Sequence, residues 1–172
     1  RIEITKGNNS VLYGNNSSAG TINIITDTLP GQEDSLFTKF TVGSYGKFEG
    51  ALSGTKTADI YSITGNTNFI STDGFRRNNA LSQRNGSIEF KGVNENFSYH
   101  LNVLAHNQFL ELPGTRSVVT LRSDPRGTGT PTQFNQRNGY KAFYGLNYSP
   151  IGDHELVIDG SYSFDKSQAN MG

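Results

Sequence analysis

Cysteine is absent from all 172 residues, which removes disulfide frameworks, thiolate metal sites and cysteine nucleophiles together. Net charge is absent as well, because 15 Lys and Arg cancel 15 Asp and Glu. The chain therefore has no basic field for nucleic acid or anionic lipid and no acidic tail, and nucleic acid is not an expected partner. No apolar run reaches the roughly 18 residues of a membrane-spanning helix, so a helical membrane protein is excluded. No charged-then-apolar leader opens the sequence. It starts instead with an arginine inside what reads as a strand, and the expectation is a fragment whose natural N-terminus lies upstream. Hydrophobic residues are few, 33% with a mean hydropathy of -0.53.

Aromatics and glycine are what the chain does have. Rings make up 11% of the residues, beside 20 glycines, a mix too ordered for a disordered chain, which is poor in aromatic and β-branched residues. Something other than a large soluble core must take up those rings. The length suits one domain, and no shift in composition divides it into two globular cores.

Period-two alternation of apolar and polar residues recurs along the whole chain, and helical spacing is hard to find. In "ELVIDGSYSFD", Leu156, Ile158, Tyr162 and Phe164 share one face against Glu155, Asp159, Ser161, Ser163 and Asp165, with Val157 the exception. "YKAFYGLNY" sets Tyr140, Ala142, Tyr144, Leu146 and Tyr148 against Lys141, Gly145 and Asn147. "FSYHLNVLAH" sets Phe97, Tyr99, Leu101, Val103 and Ala105 against Ser98, His100, Asn102 and His106. Leu104 and Phe143 interrupt the polar faces. Weaker strands are expected near 36–43, 48–54, 60–69 and 86–92, about seven in all. Their connections alternate. "SYGK", "TKTAD", "NEN" and "PIGD" are short and built from turn residues, whereas 71–84 and 107–136 read as long polar loops.

Two architectures explain such strands. A soluble sandwich or barrel turns its apolar face to a dry core, and an outer-membrane barrel turns it to lipid. Strands near the 9–11 residues of a tilted membrane strand, aromatics at their ends and loops that are long on one side only favour the second.

The opening "RIEITKGNNSVLYGNNSSAGTINIIT" adds to the case for the second. It resembles the end of the plug domain of TonB-dependent outer-membrane receptors, in which an R-I-E strand, a glycine, an L-Y-G turn, a small-residue glycine step and an I-N-I-I-T strand follow in that order. The resemblance rests on Arg1, Ile2, Glu3, Gly7, Leu12, Tyr13, Gly14, Gly20, Ile22, Asn23, Ile24, Ile25 and Thr26. "GSYG" at 43–46 is similar to the first hairpin tip after such a plug, and "DGFR" at 73–76 to the start of the second extracellular loop. Ala19 replaces one glycine of a common pair and Asn8 a common proline; neither change disturbs the geometry, since Ala19 is small and Gly7 keeps its freedom.

The resemblance implies an all-β protein. Residues 1–30 would be the end of a plug and its linker, and 31–172 the first part of an antiparallel transmembrane β-barrel, about 7 of about 22 strands. It also implies TonB-dependent active transport of a scarce ligand, most often a ferric siderophore or other iron chelate, across the bacterial outer membrane. The TonB–ExbB–ExbD complex would supply the energy through an upstream segment, and outer-membrane lipid and lipopolysaccharide would surround the barrel. Seven strands cannot close such a barrel by themselves. A passive porin or adhesive barrel, a soluble carbohydrate-binding β-sandwich and an outer-membrane hydrolase are the alternatives.

Site residues follow from the same reading. Gly7, Tyr13, Gly14 and Gly20 would form plug turns; a phosphate-cradling loop is rejected because no Lys-Ser/Thr pair and no helix follow. Arg1 and Glu3 share one strand face and would meet charged partners on the barrel wall. In the long loop, Arg116, Arg122 and Arg126 are candidates for an anionic ferric chelate, and its apolar "VVTL" could close over a ligand. His100, His106 and His154 lack metal-site spacing. No catalytic triad or carboxylate pair stands out, so no enzyme activity and no cofactor are expected.

Overall fold

The computed structural model describes residues 2–6, 20–24, 33–150 and 154–171, the first two ranges as backbone only. In the opening segment, β1 (Ile2–Lys6) and β2 (Gly20–Ile24) pair antiparallel, with Ile2 opposite Ile24 and Lys6 opposite Gly20. These are the two strands read from R-I-E and I-N-I-I-T.

Seven further strands follow in chain order: β3 (Ser35–Gly43), β4 (Lys47–Thr57), β5 (Tyr61–Thr72), β6 (Leu81–Asn94), β7 (Phe97–Glu111), β8 (Phe134–Tyr148) and β9 (Leu156–Asn170). They form one antiparallel meander in which each strand pairs with its sequence neighbours. The expected seven strands are all present. The sheet is open among the described residues, with β3 and β9 at its edges. No apolar side chain in the described residues is buried.

Register explains the two faces. Phe97 lies opposite Tyr148, which lies opposite Leu156, and Ala105 lies opposite Tyr140, which lies opposite Phe164. Nine positions of each of β7, β8 and β9 therefore stack in register, and side chains of one parity form a continuous apolar surface. Ile63, Ile88, Val103 and Tyr162 sit in the middle of it, all exposed. Tyr61, Phe90, Tyr99, Phe97 and Tyr148 make an unbroken chain of ring contacts, with centroids 5.5 to 6.3 Å apart, along the short-turn end of that surface. Phe48 with Phe69, and Phe109 with Phe134, pair towards the other end.

Three strands run longer than the alternation suggests. On the same face beyond Ala105, Tyr140 and Phe164 come Asn107, Asn138 and Lys166. Pairing nevertheless continues to Glu111 opposite Phe134 and Phe134 opposite Asn170, because the backbone groups of one strand satisfy those of the next whatever the side chains are. The loops shrink accordingly, to 73–80 and 112–133. The second contains one unexpected element, the short helix α1 (Val118–Ser123), started by the Ser117 hydroxyl accepting from Thr120 N.

Candidate functional site

Meander topology places the connections 44–46, 73–80 and 112–133 at one end of the sheet, and 58–60, 95–96, the end of β8 and the start of β9 at the other. The first three are bound into one cap. Arg76 spends its whole guanidinium on loop backbone: Nε donates to Gly127 O at 2.9 Å, Nη1 to Gly114 O at 2.9 Å and Nη2 to Pro113 O at 3.1 Å. Asn78, held at a φ of 54°, directs Nδ2 to the carbonyls of Leu112, Thr130 and Gln133 at 2.9, 2.6 and 2.9 Å. Arg77 N donates to Arg126 O at 2.7 Å, and the Arg77 side chain pairs with Asp124. That guanidinium, beside the Asp124 carboxyl, holds it below the ordinary carboxylate range. Gly114 must be glycine: its φ is +62°, and a Cβ there would lie 2.6 Å from Thr130 Oγ1.

The hairpin tip joins through Tyr45. Ser44 to Lys47 form a turn with Tyr45 and Gly46 at φ 60° and 63°, the left-handed pair that matches strand twist in two-residue hairpins. For tyrosine that conformation costs roughly 1–2 kcal/mol. The surroundings offset it: Tyr45 O accepts from Asp73 N at 2.9 Å and Thr72 Oγ1 at 3.1 Å, the ring meets Phe75 edge-on at 5.5 Å, and Arg126 lies over the ring at 5.9 Å.

The three loop arginines named from sequence separate here. Arg116 donates to Asp124 O, and Arg126 donates to Phe75 O at 3.0 Å while covering Tyr45, so both fasten the cap. Arg122, on exposed α1 beside Val118, Val119 and Leu121, has no partner among the described residues. Sequence reasoning missed Arg76 and Asn78 as organisers of the cap; the signal was there in "FRRNN" following Gly74, whose φ is +75°. Arg1, Gly7, Tyr13 and Gly14 lie outside the described residues. Glu3 stands opposite Asn23 in the β1–β2 ladder, and Gly20 opens β2.

The polar face of the large sheet is organised in rows set by register. One row runs Ser53, Asn66, Ser87, Leu104, Lys141, Ser163, and the next runs Asn68, Asn85, His106, Gly139, Asp165. Ser53 Oγ donates to Asn66 Oδ1 at 2.5 Å, Asn66 Nδ2 to Ser87 Oγ at 3.3 Å, and Asn85 Nδ2 to Asn68 Oδ1 at 2.8 Å. His106 Nε2 lies 3.0 Å from Asp165 Oδ1 across Gly139, and Arg137 Nε lies 3.8 Å from the same oxygen. His100, Gly145 and Asp159 repeat the same His-Gly-Asp order one row set lower. Among the described residues no group of three His, Asp or Glu could hold a metal ion.

At the short-turn end, Asp34, just before β3, pairs with Lys56 and accepts from Thr57 N at 2.9 Å. The Lys56 hydrogen bond, then that of Thr57, hold its carboxyl below the ordinary range. Compared with known proteins, the chain matches no family model, no curated protein and no solved structure.

Proposed function

We propose that the chain is part of a TonB-dependent transporter of the bacterial outer membrane, with residues 33–171 in the wall of a β-barrel of about 22 strands and the opening segment at the end of its plug. The observation that carries this reading is the exposed apolar face, nine residues tall and edged by linked aromatic rings. Exposed apolar surface continuous over many side chains calls for a cover, and nine tilted strand residues match the thickness of a bilayer core. Loop asymmetry supports the same orientation, with short turns towards the periplasm and the bound cap outside. The similarity of "RIEITKGNNSVLYGNNSSAGTINIIT" to a plug end adds the active component.

In this reading the cap collects a scarce ligand, most often a ferric chelate. The TonB–ExbB–ExbD complex pulls on the plug, and the ligand passes along the polar face without covalent chemistry. Arg122 is the arginine of the long loop free to meet an anionic chelate.

The test uses the full-length gene in its host. Deletion is expected to abolish growth on one chelate as sole iron source, and loss of TonB to give the same defect. Unchanged growth on every iron, vitamin and glycan source, or recovery of the protein outside the outer-membrane fraction, would reject the reading.

A further inference from the structure

A hollow of about 330 Å³ opens on the polar face across the two rows described above, bounded by Asn66, Asn68, Asn85, Ser87, His106 and Lys141. Its size falls at the lower end of the roughly 300–1,000 Å³ of small-molecule sites. Its chemistry is one-sided. Lys141 brings an ammonium with no partner among the described residues, and no carboxylate bounds the hollow. An unpaired cation in a partly enclosed recess favours an anion, and a single ammonium acts as a point charge suited to one carboxylate rather than a bidentate fork.

The remaining lining is neutral and hydrogen-bonding. The Asn85–Asn68 and Asn66–Ser87 bonds fix these side chains while leaving Asn68 Nδ2, Asn85 Oδ1 and the Ser87 hydroxyl proton unused. Donors and acceptors side by side match neighbouring hydroxyls. The His106 ring borders the hollow, with its Nε2 3.0 Å from Asp165 Oδ1. Gly139 makes that arrangement possible, since a Cβ there would lie 3.0 Å from His106 Cε1 and 2.9 Å from Asp165 Oδ1. Leu104, between Ser87 and Lys141 in its row, supplies an apolar patch for C–H groups.

We infer that this hollow binds a small hydroxylated carboxylate of sugar-acid size, with Lys141 on the carboxylate and the Asn68, Asn85 and Ser87 side chains on the hydroxyls. The assignment rests on the transporter reading for the route by which the ligand arrives; the binding itself depends only on the polar face.

The experiment is calorimetric titration of the purified full-length protein in detergent with D-glucuronate and, separately, D-glucose. Saturable glucuronate binding is expected, with glucose at least about tenfold weaker, and K141Q weakening glucuronate about tenfold or more while K141R stays within about threefold. Circular dichroism of each variant confirms that the sheet is folded. No saturable glucuronate binding by the folded wild type, or equal binding by K141Q, would overturn the inference. The outcomes separate from those of the transport test. TonB-dependent growth without glucuronate binding removes this site alone, and glucuronate binding by a protein found outside the outer membrane removes the transport reading alone.

Discussion

His106 and Asp165 meet at 3.0 Å although they belong to β7 and β9, strands that never pair with one another. Gly139 on the intervening β8 is buried beneath them and leaves the space in which they meet. The same order recurs at His100, Gly145 and Asp159, but there no bond joins the two outer side chains.

The two glycines should therefore respond differently to a methyl group. At Gly139 the new Cβ would strike the Phe164 carbonyl oxygen, a backbone atom that cannot rotate away. At Gly145 it would meet the side chains of His100 and Asp159, which can change rotamer. Gly139→Ala is expected to cost about 1–3 kcal/mol, the range for overpacking a well-packed site, and Gly145→Ala less than about 1 kcal/mol. Equilibrium denaturant unfolding of the full-length protein in lipid vesicles measures both; equal costs would show that the Phe164 contact is not limiting.

Arg76 should govern the cohesion of the loop cap. Its three bonds to Pro113, Gly114 and Gly127 bridge two loops; a bond to a charged donor contributes a net of about 1.5–3 kcal/mol when buried, less and not additively for one half-buried fork. Arg76→Ala is expected to open the 112–133 loop by about 2–4 kcal/mol, and Arg76→Lys to restore only part, since an ammonium cannot reproduce the fork. Hydrogen exchange at Gly127 and Gly129, with tryptic cleavage at Arg116 and Arg122, reports the opening.

Acid should loosen the start of β3. Asp34 has a carboxyl held below its ordinary value of 3.8 by Lys56 and then by Thr57. A depressed carboxylate contributes stability that is complete above the unfolded value and is lost as pH falls below 3.8 through the lowered native value. The protection of the Thr57 amide, its exchange rate relative to the intrinsic rate at the same pH, should therefore fall below about pH 4 in the wild type and be low and nearly independent of pH across that window in Asp34→Asn. A wild-type Thr57 amide insensitive to acid would show that the contact does not hold this end of the sheet.

The sheet was legible because one face alternates with a period of two, and the strongest alternation, in 97–106, 140–148 and 155–165, located three strands directly. Their upper ends were not legible, since Asn107, Asn138 and Lys166 end the apolar pattern while the backbone ladder runs on to Glu111, Phe134 and Asn170. Alternation reports what surrounds a strand, and pairing reports what its neighbour offers. Helix α1 escaped notice because six residues carry too little periodicity to show. The loop arginines were recognised as notable residues, but only geometry separates Arg116 and Arg126, which are engaged within the cap, from Arg122. Histidines without metal spacing gave no hint of the His106–Asp165 pair, because nothing in a sequence says that Gly139 lies between them.

Whether lipid covers the apolar face is open to direct measurement. The chain carries no cysteine, so spin labels can be placed one at a time by Leu101→Cys, Asn102→Cys, Val103→Cys and Leu104→Cys in the full-length protein reconstituted in vesicles. Collision rates with oxygen, which concentrates in hydrocarbon, and with a water-soluble nickel chelate are then compared. The account predicts oxygen-dominated collisions at positions 101 and 103 and the opposite balance at 102 and 104, a period of two down the strand. Labels at 101 and 103 that are shielded from both reagents, or reached mainly by the nickel chelate, would contradict it.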